Sequence, residues 1–107
     1  MIITLEEVKV HLRIQHDEED EYLIGLITQA QTAAEDYCRV SFEPYHQLNN
    51  EGKKVEMLVP EPVRLAMLLF IGFFYENRDI PDMTTYKAMR MAFENLLYPY
   101  RDPAKMF

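Results

Sequence analysis

The chain has 107 residues, of which 49% are apolar and 27% charged, a composition typical of one folded domain and not of a disordered chain. Its 18 acidic and 11 basic side chains give a net charge of −7, which argues against the basic surface that grips nucleic-acid phosphates. The longest apolar run, residues 65–75, is shorter than the roughly 20 residues that span a bilayer. We therefore expect a single helical domain over residues 1–107, with no membrane partner.

Two helices are predicted in the first 40 residues. Residues 4–7, Thr-Leu-Glu-Glu, have the pattern of a capping box and predict a short helix to about Arg13. The second helix opens in the acidic run 17–21, where negative charge complements the helix dipole, and runs to about Arg39. Its apolar stripe consists of Leu23, Leu26, Ile27, Ala30, Ala34, Tyr37 and Cys38. The stripe predicts that Cys38, the only cysteine, is a core residue.

Residues 40–59 differ from the segments on either side. Asn49-Asn50-Glu51-Gly52 is a turn signal, and Val55, Met57 and Val59 after it alternate with the period of a strand. A structureless loop of about 20 residues is unusual in a compact domain unless it is functional. The pattern predicts either a small hairpin or a protruding functional loop.

The third helix is predicted to begin at Pro60-Glu61-Pro62 and to be apolar on nearly every face as far as Tyr75. Such a helix is surrounded, either by its own domain or by neighbouring subunits. We therefore expect Phe70 and Phe74 among the most buried side chains, and a crossing helix close to Gly72.

The fourth helix is expected to follow Arg78, whose charge suits the negative end of the third helix dipole. It is capped near Asp82 or Thr84 and is ended by Pro99. Its core positions are Tyr86, Met89, Phe93, Leu96 and Leu97. The predicted fold is all-α: a four-helix-bundle-like subunit with a hairpin or irregular insertion between helices 2 and 3.

Catalytic chemistry has little support. Glu18 and Glu21, with Glu76 and Asp79, have the spacing by which all-helical nucleotide pyrophosphohydrolases hold magnesium, but they stand at helix ends. We interpret them as solvated helix ends and keep the magnesium-dependent hydrolase as an alternative. Two of the three histidines, His11 and His16, do not share a helix face; His46 stands apart, and Ser41 lacks a nucleophile motif. We predict no catalytic residue, metal ligand or cofactor.

The end of the chain carries Tyr98-Pro99-Tyr100-Arg101, residue types that commonly anchor protein interfaces. The alternative is that this segment folds back on its own bundle.

Several segments together resemble one phage family. They are residues 3–9, residues 11–14, the acidic run 17–20, residues 60–66, residues 75–78 and residues 96–101. In order, and at a matching chain length, they are similar to the small head–tail connector proteins, also called head-completion or DNA-packaging proteins, of long-tailed bacteriophages and prophages. The resemblance covers nearly the whole chain.

The resemblance implies a structural virion protein without enzymatic activity. It implies a ring of about a dozen subunits that lies below the portal protein at the head–tail junction and extends the DNA channel after packaging. DNA passes through such a ring without specific binding, and a downstream head-completion or tail protein completes the joint. During assembly the subunit is expected in the bacterial host cytoplasm. A generic cytosolic adaptor is a further alternative.

Two sets of contact residues are expected in such a ring. The subunit interface is predicted to use Tyr98, Tyr100, Arg101 and Arg78, with Asp17, Asp20 and Glu21 of a neighbour or of the portal as an electrostatic mate. The channel or partner loop is predicted to comprise Asn49, Asn50, Glu51, Gly52, Lys53 and Lys54. Deleting residues 98–107 is expected to leave the helices folded and to abolish assembly.

Overall fold

The computed structural model describes residues 2–79 and 82–102. Within them the chain forms four α-helices and one two-stranded antiparallel sheet. The elements in order are α1 (Leu5–Leu12), α2 (Asp20–Cys38), β1 (Tyr45–Leu48), β2 (Lys54–Met57), α3 (Glu61–Glu76), α4 (Met83–Leu97) and a final 3₁₀ turn (Tyr98–Tyr100). The fold is mainly helical, and the insertion between α2 and α3 is a hairpin.

Local signals mark the helix ends. The Thr4 hydroxyl accepts a hydrogen bond from the Glu7 amide at 3.1 Å while the Glu7 carboxylate accepts one from the Thr4 amide at 3.4 Å, which confirms the capping box. Asp82 caps α4 by accepting from the Thr85 amide at 3.2 Å. α2 begins at Asp20, three residues later than the start of the acidic run.

The core lies where α3 packs between α2 and α4, with α1 crossing at one side. The apolar stripe of α2 is buried as predicted, Cys38 included, except that Tyr37 is only partly buried. In α4, Met89, Phe93 and Leu97 are buried.

Two expectations about α3 need correction. Phe70 is buried, at 8% exposure, but Phe74 is only partly so, because it lies in the last turn of α3 beside the half-covered Phe73 and Tyr86. Gly72 does face α1, yet a Cβ there would lie 3.7 Å from the Leu12 side chain, an ordinary contact distance. Packing therefore does not require a glycine at position 72.

The C-terminal segment folds back on the helices. The Asp102 amide donates to the Cys38 carbonyl at 2.9 Å, and Tyr100 packs against the core. Of the predicted terminal segment 98–107, residues 103–107 lie outside the described part of the chain.

The molecule is longer than a compact domain of its size. Its radius of gyration is 15.0 Å and its extents are 48 × 30 × 17 Å, whereas about 13 Å is typical for 100 residues. Among the described residues, the strands of the hairpin pack mainly against each other.

Candidate interaction surfaces

An aromatic and charged cluster joins the start of α2 to the end of α3. The Arg78 guanidinium lies over the rings of Tyr22 and Tyr75, 4.7 and 4.6 Å from their centroids, and pairs with the Glu19 carboxylate. The Tyr75 hydroxyl donates to Glu19 at 3.0 Å, and the Tyr22 hydroxyl donates to the Phe74 carbonyl at 3.3 Å. Arg78 also donates to the Tyr75 carbonyl, which confirms its place at the helix end. This predicted interface residue therefore has partners within its own subunit.

The charges of this cluster depend on each other. Partial desolvation raises the pKa of Glu19, but hydrogen bonds from Tyr75 and Arg78 together outweigh it, and the net pKa lies below its usual value. The hydrogen bond to Glu19 raises the pKa of Tyr75. Glu19 thus stays ionised and keeps Arg78 in place at neutral pH.

Part of the predicted acidic mate is neutralised inside the subunit. The Lys9 ammonium lies 2.6 Å from a carboxylate oxygen of Asp17 and 2.6 Å from one of Asp20. The hydrogen bonds to Asp17 and Asp20 raise the pKa of Lys9. The hydrogen bond that Lys9 donates to Asp17 lowers the pKa of Asp17. Glu21, the third predicted member, is exposed and makes no ion pair with the described residues.

The C-terminal segment presents one of its three predicted anchors. Tyr98 is 66% exposed. Tyr100 is partly buried against the core, and the Arg101 guanidinium lies 4.6 Å from the ring centroid of Tyr37 and 5.9 Å from that of Tyr98. The alternative interpretation is therefore correct for Tyr100 and Arg101, and Tyr98 is the most exposed of the three.

The hairpin is attached to the helical body at its base and is exposed towards its tip. Tyr45 is buried and stacks on Phe42 with ring centroids 5.3 Å apart. The register pairs Tyr45 with Met57 and Leu48 with Lys54. Every other residue of the two strands is exposed, and Leu48 is 69% exposed.

The tip of the hairpin is organised by Asn49. Its side-chain oxygen accepts from the amides of Glu51 and Lys53, both at 2.9 Å, and Gly52 takes a positive φ of 79°. Lys53 and Lys54 extend from this turn, and neither makes an ion pair with any described residue. The predicted partner loop is thus a hydrogen-bonded turn that presents two ammonium groups without an ion-pair partner among the described residues.

A groove lies on the outer face of α3. Its floor is apolar and its volume is about 440 Å³. α3 supplies Leu68, Leu69, Gly72, Phe73 and Glu76, followed by Asn77; α1 contributes His11, and α4 contributes Thr85, Ala88 and Met89. Leu65, one turn earlier on α3, is 52% exposed. This groove, hereafter the α3 groove, is a face on which the very apolar third helix is only partly covered by its own subunit.

The residues weighed for catalysis are dispersed. No three His, Cys, Asp or Glu side chains among residues 2–79 and 82–102 come close enough to hold a metal ion, so Glu18, Glu21, Glu76 and Asp79 form no shared site. Burial raises the pKa of the Cys38 thiol to about 11, and its S–H donates to the Leu97 carbonyl. The Ser41 hydroxyl accepts a hydrogen bond from the Glu43 amide.

None of the described helices is both long enough and apolar enough to cross a membrane.

A comparison with protein families indicates what kind of protein carries these surfaces. The model for phage gp6-like head-tail connector proteins matches residues 2–105. The chain belongs to this family. No curated protein and no solved structure matches it significantly.

The connector is a phage structural protein, and its exposed surfaces were only partly predictable. The exposure of the hairpin tip and of Tyr98 agrees with the sequence-based expectation, whereas the α3 groove and the exposed side chains of Leu48 and Val55 were not predicted. A signal for the groove was present, because α3 is apolar on more faces than one small subunit can cover. Which face stays open depends on where α1 and α4 pack, and the sequence pattern does not specify this.

Proposed function

We propose that this connector assembles into a ring of about a dozen copies below the portal protein and extends the DNA channel after packaging. The ring joins the portal to a downstream head-completion or tail protein at the head–tail junction of the virion. The observation that carries the proposal is the match to the head-tail connector family over residues 2–105. An open apolar face on α3 supports it, because such a face favours burial against another chain.

The charge of the subunit suits a channel through which DNA slides. At −7 per chain, a closed ring is strongly acidic and repels the phosphate backbone. Three basic groups, those of Lys9, Arg64 and Arg78, are already paired with carboxylates in the same subunit. DNA therefore passes without specific binding.

The mass of the assembly tests this proposal. One chain has a mass of 12.7 kDa, so a ring of about 12 copies has a mass of about 150 kDa. Light scattering and sedimentation velocity of the connector alone are expected to give this species, and addition of purified portal is expected to give a larger complex. A connector that stays monomeric at all concentrations and does not bind portal would contradict the ring.

Within the ring, we propose that Tyr98 is an anchor, supported in its position by Tyr100 and Arg101, and that Glu21 lies near a neighbour or the portal. Asp17 and Asp20 contribute to this contact as carboxylates already paired with Lys9. Arg78 contributes to it as a guanidinium already paired with Glu19. The exposure of Tyr98 supports this role, because a large exposed aromatic side chain with a polar tip is a common interface anchor.

A point substitution tests this anchor better than deletion of residues 98–107, which would also remove the packing of Tyr100 and the Asp102 hydrogen bond. We expect Tyr98→Ala to weaken assembly or portal binding and to leave the circular dichroism spectrum unchanged. Met91→Ala is the matched control, since Met91 on α4 is also 66% exposed. Equal assembly of the two variants would refute the role of Tyr98.

A further inference from the structure

Two surfaces of the connector complement each other and lie on different parts of the same chain. One is the hairpin tip, with exposed Leu48 and Val55 beside Lys53 and Lys54. The other is the α3 groove, which has an apolar floor and Glu76 at one end. We propose that the hairpin tip of one copy docks in the α3 groove of the next copy; this interface rests on the proposed ring and names the contact that builds it.

The apolar parts fit in size and exposure. A groove of about 440 Å³ lies within the range of roughly 300–1,000 Å³ typical of sites that enclose a ligand, so it accepts several side chains. Leu48 at the end of β1 pairs with Lys54 across the hairpin, so these two side chains share one face next to the turn, whereas Val55 pairs with Gln47 on the other face. Docking through the first face removes Leu48 and the floor residues Leu69 and Phe73 from water together.

The charged parts are complementary. Lys53 and Lys54 are the one pair of adjacent basic residues in the sequence, and both are exposed. Glu76 lines the groove and Asp79 follows three residues later; neither makes an ion pair with the described residues. Because each chain carries −7, two copies repel unless a basic segment of one meets carboxylates of the other. The hairpin tip provides that segment.

The placement of the two surfaces determines the kind of assembly. The hairpin precedes α3, whereas Glu76 and Asp79 mark the far end of that helix. Because two different surfaces meet in the contact, each copy can bind one neighbour through its hairpin and another through its groove, and such head-to-tail contacts close into rings when the rotation permits. An isolated two-stranded hairpin is only marginally stable in water, so a receiving groove also stabilises it.

Charge reversal tests the pairing. We expect Lys53→Glu with Lys54→Glu to raise the concentration needed for half-maximal assembly by about tenfold or more, and Glu76→Lys with Asp79→Lys to do the same. The chain that carries all four substitutions is expected to assemble again, since the complementary charges have only exchanged places. Arg13→Glu with Lys87→Glu is the control, because it changes the net charge as much at two exposed sites outside the proposed contact.

Sedimentation velocity measures assembly, and circular dichroism verifies that each variant is folded. Folded hairpin or groove variants that assemble like the parent would overturn this interface and leave the proposed ring intact. Failure of the fourfold variant to assemble would also overturn this interface. Hairpin variants that form rings but no longer bind portal would overturn it too. If the parent chain never assembles, both the proposed ring and this interface are refuted.

Discussion

In the helical body of the connector, apolar side chains from all four helices are fully buried, and contacts between distant residues hold the helices together. Arg64 on α3 pairs with Glu7 on α1, and Arg78 after α3 pairs with Glu19 before α2. In the hairpin, by contrast, Tyr45 alone is buried among the eight strand residues.

This contrast separates two tasks in one small chain. The body gains its stability from its own core, because burial of apolar area is the main favourable term in folding. The hairpin buries almost nothing in the isolated subunit, so its exposed side chains contribute little to folding. Their apolar and basic side chains are the ones that the proposed contact with the next copy would bury.

The largest expected effect is loss of the core. Phe70→Ala is expected to lower the free energy of unfolding by about 3–5 kcal/mol, because it leaves a cavity between α3 and Phe93 of α4. Leu58→Ala, just after the hairpin, is expected to change it by less than about 0.5 kcal/mol, since Leu58 is 94% exposed. Denaturant melts of both variants measure the difference. A change below about 1 kcal/mol for Phe70→Ala would show that the core lies elsewhere.

A second variant tests where the body ends and the hairpin begins. Tyr45→Ala removes the ring that stacks on Phe42 and is expected to weaken the hairpin locally by about 1.5–3 kcal/mol. Hydrogen exchange would then show faster exchange of the hairpin amides and unchanged protection of α3. Equal loss of protection in α3 would mean that body and hairpin unfold as one unit.

A smaller effect, of opposite sign, is expected at Gly72. Gly72→Ala is expected to stabilise the body by up to about 1 kcal/mol, because alanine favours a helix interior and its Cβ meets Leu12 at an ordinary distance. Gly52→Ala in the hairpin turn is the contrasting variant and is expected to destabilise, since its φ is positive. Thermal melts distinguish the two signs, and destabilisation by Gly72→Ala would indicate a tighter helix contact than the structure has.

The smallest effect concerns pH. Because the folded state lowers the pKa of Glu19, the stability that this carboxylate contributes is present above its unfolded pKa and is lost as the pH falls through its folded pKa. Glu19→Gln is expected to lower the melting temperature near neutral pH and to flatten its decline in acid. The exposed Glu51→Gln at the hairpin tip is the control and should keep the profile of the parent. Identical profiles for Glu19→Gln and the parent would show that the Arg78 cluster adds no stability.

Local features of this connector were predictable from the sequence because their causes lie within a few residues. The capping box needs only Thr4 and Glu7, the cap of α4 needs Asp82 and Thr85, and the stripe that buries Cys38 follows from helical periodicity. The hairpin was one of two predicted outcomes for residues 40–59, because its turn residues and alternation are also local.

Features that depend on distant residues were not predictable. Arg78 pairs with Glu19, which lies 59 residues earlier in the sequence. The Asp102 amide donates to the Cys38 carbonyl, and this bond depends on how α4 packs on the body. Phe93 is fully buried whereas Phe74 is not, although both lie on apolar helix faces. An apolar pattern shows that a helix must be covered, but the crossing of α1 and α4 over α3 determines which side chains are covered and leaves the α3 groove open.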